Sequence, residues 1–184
     1  MNDREELIRA AIEEIKIHSL RFTMEDLTRR LKVSKTSLYK FVASKDELVS
    51  AVVDEMISAF NKEASEILAG DKPVQEKLQV FTQSFMRITQ GFDSRVYGDL
   101  QRFYKADWKK WTAFRQEKIS SFMKLLQEGI DSGAVKPVNF AVVYQCLNAA
   151  MEAIAQPDFL ENNNLKYSEA VDTLQDIVFH GLLA

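Results

Sequence analysis

Cysteine occurs once in these 184 residues, at Cys146, which excludes a disulfide framework within the chain and suits a reducing compartment. Proline occurs three times and glycine six times, too little punctuation for the many turns of an all-β fold. The two histidines, His18 and His180, lie near opposite ends and fall in no metal-ligand spacing. No phosphate-cradling glycine loop and no nucleophile motif occurs. No apolar run approaches the ~20 residues that cross a bilayer, and the opening MNDREELIRAAIEEI lacks the basic and apolar regions of a secretory signal. These absences point away from an enzyme or a membrane protein and predict a cytoplasmic chain without metal or cofactor.

The chain is otherwise ordinary for a globular protein, 46% hydrophobic and 28% charged. Long segments with a 3.6-residue apolar period between the few breakers predict an all-α fold. The net charge of −3 is unevenly spread. Met1–Leu48 holds ten Lys or Arg against nine Asp or Glu, and the remainder fourteen against eighteen. Within Arg29–Lys45 there are six basic residues (Arg29, Arg30, Lys32, Lys35, Lys40, Lys45) and no acid. A basic corner on an acidic body suits DNA binding with a local positive field.

Taken in order, Asp3 to His18 reads as a helix with Leu7, Ile8, Ala11, Ile12 and Ile15 on one face. Two short helices follow. Thr23 caps the first, with Asp26 three residues on and Leu27 and Leu31 inward; Ser34 caps the second, with Leu38 and Val42 inward. Phe22 and Met24 are placed to hold helix one onto this pair. Ser44 and Glu47 form a capping box for a long helix to Ala69. That helix spans about 35 Å at 1.5 Å per residue, so no flexible linker separates the two parts of the chain. Further helices are predicted over Pro73–Thr89, Arg95–Lys105, from Asp107 as cap to near Ser132-Gly133, from Asn139 to Ile154, and from Ser168 as cap to Leu182. The breaks are Gly70–Pro73, Gly91–Ser94 and Gln156–Lys166, the last a loop with Pro157 and three successive asparagines. The expectation is nine helices, three and then six. The first 47 residues would form a helix-turn-helix unit and residues 48–184 a larger helical domain.

The run Thr23-x-x-Asp26-Leu27, then Val33-Ser34-Lys35-x-Ser37-Leu38-Tyr39, then Lys45-x-x-Leu48 resembles the N-terminal signature of TetR-family transcriptional regulators. Glu128-Gly129-Ile130-x-x-Gly133, followed by two amphipathic helices, looks like the end of that family's regulatory domain. The likeness covers the whole chain in architecture and is motif-specific over about Arg4–Val53. It implies a two-fold homodimer on a double-stranded DNA operator, a small effector bound in the larger domain, and dimerisation through the last two helices. By that resemblance Lys35, Thr36, Ser37, Tyr39 and Lys40 fall on the recognition helix capped by Ser34. Lys45 and Thr23 match the family's phosphate-backbone contacts. The chain departs from the pattern at Lys32, where the turn usually has Gly, and at Phe41-Val42, where His-Phe is favoured. At Ala43 a Pro is common. A lysine held left-handed would cost about 1–2 kcal/mol, which puts the pose of the recognition helix in question.

In the larger domain Phe81, Phe85, Tyr97, Phe103, Tyr104, Trp108, Trp111, Phe122 and Tyr144 suit either a bundle core or a pocket for a small hydrophobic effector. Tyr144, Leu147, Asn148, Met151, Glu152, Leu174, Ile177 and Val178 are the candidate dimer interface. Cys146 reads as a buried small hydrophobe. The reading is a ligand-responsive DNA-binding regulator, a repressor by preference. Its competitors are a helical carrier that never touches DNA and a helical enzyme using Glu152 or Asp107, and neither accounts for the acid-free Arg29–Lys45 segment.

Overall fold

The computed structural model describes residues 3–89, 92 and 94–182, and the side chains at 86, 88, 89, 94, 157, 180 and 182 lie outside that description. The described chain forms ten α-helices and no strand. They are α1 (Arg4–His18), α2 (Met24–Leu31), α3 (Lys35–Leu38), α4 (Lys45–Ala69), α5 (Val74–Thr89), α6 (Ser94–Phe103), α7 (Lys105–Asp131), α8 (Phe140–Ile154), α9 (Pro157–Asn162) and α10 (Tyr167–Leu182). A short 3₁₀ turn, Ser19–Arg21, joins α1 to the strand-like entry of α2.

Local chemistry starts the first four helices. Asp3 accepts from the Glu6 N–H, and Thr23 and Asp26 close a reciprocal capping box. Ser34 accepts from the Ser37 N–H and Ser44 from the Glu47 N–H. The Glu47 carboxylate does not return to Ser44 but takes the Ala43 N–H at 2.7 Å, one residue further back. Leu7, Leu27, Leu38 and Leu48 are fully buried at the centre of this N-terminal unit, closed by Phe22 and Val42. α1 packs on both α2 and α4, so the long helix completes the small bundle's core before running on.

The rest of the molecule is built on α4. α5 and α7 pack against it, and α8 and α10 lie across α7 and α5. Phe60, wholly buried on α4, is the centre of an aromatic cluster. It meets Phe81 edge-on at 5.5 Å, Phe114 at 5.3 Å and Phe85 at 6.0 Å, the edge-to-face spacing that aromatic quadrupoles favour. Polar ties cross the same helix pairs. Lys110 of α7 donates to Asp54 of α4 at 2.6 Å, and Arg87 of α5 pairs with Glu63 of α4.

Four expectations need correction. The Gln156–Lys166 loop contains a helix, α9, because Pro157 occupies the first helical turn, where its missing N–H is no loss. Leu160, fully buried, anchors that turn, and the asparagine run ends it with Asn164 at φ 50°. α7 starts at Lys105 rather than after Asp107; Tyr104 alone separates it from α6. Asp107 is instead buried in the first turn, 3.6 Å from Lys110. α10 starts at Tyr167, with the Lys166 N–H bonded to Glu169 rather than capped by Ser168. Cys146 is exposed on α8, not buried. The predicted break at Gly91 and Asp93 lies outside the described residues.

The segment after α7 shows why two glycines stand where they do. A Cβ on Gly129 would meet Val135 Cγ2 at 2.6 Å, so only glycine lets the chain fold back there. Gly133 turns the backbone at φ 76°, and the Ala134 and Val135 N–H groups both return to the Gly129 carbonyl.

Candidate nucleic-acid interface and ligand cavity

The turn between α2 and α3 keeps its left-handed geometry despite the lysine. Lys32 sits at φ 53°, ψ 43°, and the Val33 N–H bonds the Thr28 carbonyl at 3.1 Å, the six-to-one bond of a left-handed helix stop. The backbone therefore bears the cost and the helix pair is not rearranged. Regular helix in α3 covers only Lys35–Leu38. Tyr39 is its C-cap and Lys40 lies in the turn that follows, where the Phe41 N–H bonds Leu38. Lys35, Thr36, Tyr39 and Lys40 line one shallow open recess. Ser37 is half-buried and its hydroxyl lies 2.9 Å from that of Ser34.

Of the six bases in the acid-free segment, three have partners, one within its own helix and two through tertiary structure. Arg29 pairs with Asp26 at 3.3 Å. Arg30 Nε donates at 2.5 Å to Glu14, a buried carboxylate on α1. Lys45 Nζ donates to the Leu20 carbonyl at 2.5 Å and lies 4.7 Å from the Phe22 ring centre. Burial holds the Lys45 pKa below its usual value, with Asp46, Asp99 and Asp26 opposing the shift. Lys32, Lys35 and Lys40 remain exposed, with no ion-pair partner among the described residues. Thr23 is likewise engaged: its hydroxyl accepts from the Asp26 N–H at 3.2 Å and donates to the Asp26 carboxylate at 2.7 Å. The Thr23 hydroxyl and the Thr23 N–H, which donates to the same carboxylate oxygen at 2.8 Å, hold the Asp26 pKa low.

The larger part has a partly open cavity of about 90 Å³ between α4, α5, α7, α8 and α10. Of the aromatics singled out from sequence, Phe81, Phe85 and Phe122 line it. Tyr97 and Trp111 line a second, smaller void of about 30 Å³ below the N-terminal unit. Phe103, 66% exposed, lines neither, and nor do Tyr104, Trp108 and Tyr144. Tyr97 and Tyr167, both buried, lie with ring centres 4.2 Å apart and planes tilted by 35°. Burial drives both phenols up, Tyr167 to about 12 with Arg115 acting against it.

Among the lining residues absent from the sequence-derived candidates are Phe60, Arg115 and Lys118. Phe60 sits in a regular apolar stripe and the two cations in a heptad of mixed polarity, so neither stood out. The candidate interface residues divide as well. Leu147, Met151, Leu174 and Val178 line the cavity, whereas Ile177 is 66% exposed and Tyr144 and Glu152 are also outward. Asn148, half-buried, bonds back to the Tyr144 carbonyl at 3.2 Å.

One polar contact joins the two ends of the molecule. Asp99 of α6 is buried and receives the Ser19 hydroxyl at 3.4 Å, with Arg21 Nε at 3.6 Å. Ser19 carries φ 55° and ψ −154°, a backbone region that side chains rarely occupy. The strained residue between α1 and α2 is thus held by α6.

Residues 7–52 match the model of bacterial regulatory proteins of the tetR family. Along nearly the whole chain the protein is similar to YvaF of Bacillus subtilis, an uncharacterized HTH-type transcriptional regulator. The two are 25% identical over 174 residues, covering 92% of this chain and 90% of that one. Among solved structures, a transcriptional regulator from Cytophaga hutchinsonii superposes with a TM-score of 0.70 at 17% identity, covering 98% of each chain. The ketosteroid transcriptional regulator KstR2 of Mycobacterium tuberculosis does so with a TM-score of 0.67 at 19% identity, covering 100% of this chain and 97% of that one. These likenesses, with the helix-turn-helix geometry, set aside the carrier and enzyme readings. Residues 7–52 thus form a DNA-binding helix-turn-helix segment of the tetR type, and the chain as a whole is similar to transcriptional regulators built on it.

Proposed function

We propose that the protein is a ligand-responsive repressor that acts as a homodimer on a palindromic operator. Residues 1–47 read the DNA and residues 48–184 sense an apolar effector and dimerise. The observation that carries this reading is α4. It begins at Lys45 against the Leu20 carbonyl and, without a break, brings Phe60 to the wall of the cavity. Fifteen residues of helix, about 22 Å, separate those points. An effector that displaces Phe60 moves the base of the helix-turn-helix, and a coupling of about 1–3 kcal/mol changes DNA affinity some 5–150-fold.

On the DNA, Lys35 and Lys40 bond phosphates, Thr36 and Ser37 approach base edges, and the Tyr39 hydroxyl bonds a phosphate oxygen. The capped start of α2 at Thr23 and the start of α4 at Lys45 border the backbone. Lys45 exchanges its Leu20 contact for a phosphate or supports the turn from behind. Dimerisation through the outward faces of α8 and α10, where Val142, Tyr144 and Ile177 are exposed, spaces two recognition elements by ~34–36 Å, one turn of DNA. That KstR2, with the same fold, is by name a ketosteroid regulator supports an apolar effector here.

Selection from a random duplex pool is expected to recover a palindrome. On that site Lys35→Ala and Lys40→Ala should each lower the salt slope by about one. Tyr39→Phe should weaken binding without changing the slope. Unchanged affinity and slope in all three variants would sink the assignment of the recognition surface.

A further inference from the structure

The cavity wall carries an unexpected charge. Arg115 and Lys118, one turn apart on α7, both line it and are only 7% and 9% exposed, yet among the described residues no acid lines it. The rest of the wall is almost wholly apolar, Thr82 and Gln175 excepted. A buried cation is costly unless it is paired or richly hydrogen-bonded. The structure provides little of either. Arg115 donates to the Met151 carbonyl at 3.4 Å, a long contact, and faces the buried Tyr167 hydroxyl, which leaves most of its five donors unused. Lys118 Nζ lies 5.4 Å from the ring centres of Phe60 and Phe114. Its carboxylate, at 3.1 Å, belongs to the adjacent Glu117, whose side chain is 67% exposed and free to turn to water. A wall that only had to fill the core would have leucine or methionine at 118.

We infer that the cavity takes an anion-headed amphiphile. Its carboxylate or phosphate exchanges for Glu117 on Lys118 and takes spare donors of Arg115. Its alkyl chain lies among Phe81, Phe85 and Phe122. This deepens the effector reading above and rests on it. The head group also supplies the means of response, because pairing Lys118 with a ligand anion draws the ammonium off the face of Phe60, the α4 residue at the cavity wall.

Calorimetry on the full chain without DNA tests this with four eight-carbon probes: octanoate, octyl phosphate, octan-1-ol and octylammonium. At least one anion should bind about tenfold or more tighter than the alcohol, and octylammonium more weakly still. Which anion wins separates a carboxylate effector from a phosphate ester. Lys118→Met should remove the preference of anion over alcohol, and Lys118→Arg should restore it. Octanol binding as tightly as both anions, or an anion preference that survives Lys118→Met, overturns the inference and identifies a structural lysine. Should Lys118→Met fail to fold, the probe comparison on the unaltered chain decides alone. An anion-selective cavity whose filling leaves operator affinity unchanged would instead sink the effector reading and keep the site. Loss of anion selectivity leaves the DNA-binding reading standing.

Discussion

Lys32 and Gly129 show opposite solutions to a tight backbone. At Lys32 the chain accepts a left-handed conformation on a side-chain-bearing residue, φ 53°, at the end of α2. Lys32→Gly should therefore raise stability, by about 0.5–1 kcal/mol once the extra freedom of glycine in the unfolded chain is offset. Denaturant midpoints of the two chains check this, and an unchanged or lower midpoint would show that the turn is not strained. The same variant also loses one of the three exposed bases beside the recognition element, so its DNA affinity should fall as its stability rises. At Gly129 the chain has no such latitude. Gly129→Ala places a methyl 2.6 Å from buried Val135, whose branched side chain has little room to yield. A loss of about 1–3 kcal/mol is expected, read as a lower thermal midpoint, with the helical circular dichroism of the native state retained.

Among the helices, α6 has a position out of proportion to its ten residues. It packs on the 3₁₀ turn that enters α2, on α7 and on α9, and its Asp99 is the acceptor that holds Ser19 and Arg21. Since Tyr104 is the single residue between α6 and α7, movement of α7 at the cavity is transmitted to α6 with little slack. Asp99→Ala should cost about 1–3 kcal/mol through the buried Ser19 hydroxyl it orphans. On the proposed mechanism it also leaves ligand-free DNA affinity within a few fold while shrinking the ligand-induced change. The readout is the ratio of operator affinities with and without effector. An intact ratio at reduced stability would place coupling in α4 alone.

For the molecule as a whole, the buried phenols set the alkaline limit of stability. Tyr97 and Tyr167 are raised by burial above their ordinary value of 10.0, Tyr167 to about 12. A group whose folded pKa is raised contributes stability that is complete below the unfolded pKa and lost as pH rises through the folded one. Lys45, depressed by partial burial, acts in the reverse sense, its penalty fading as pH rises toward 10.5. The two phenols are fully buried and the lysine is not, so the phenols dominate. Stability should fall from about pH 10 toward 12, and tyrosinate absorbance from these two residues should appear only with unfolding. Early titration of all five tyrosines in the native state would contradict the burial.

The order of the helices other than α9, the caps at Thr23, Ser34 and Ser44, and the helix starts at Asp3 and Asn139 could all be read without a structure. So could the sharp turn at Lys32 and the inward faces through Leu7, Leu27, Leu38 and Leu48. Each of these is decided within about four residues of chain, by an apolar period or by a side chain that bonds its own backbone. α9 escaped for a related reason: Pro157 marks a helix start as readily as a loop, and only the burial of Leu160 against distant residues distinguishes the two. What the tertiary structure alone decided is which members of a local pattern remain available. Arg30 is occupied by Glu14, sixteen residues away, and Lys45 by Leu20, twenty-five away. Phe81, Phe85 and Phe122 meet at a cavity while Phe103 is left in solvent. Arg115 and Lys118, unremarkable in the sequence, become the cavity's only charges among the described residues. Whether a charge or a ring is free or occupied depends on partners brought near by packing, and packing is a property of the folded chain, not of any stretch of it.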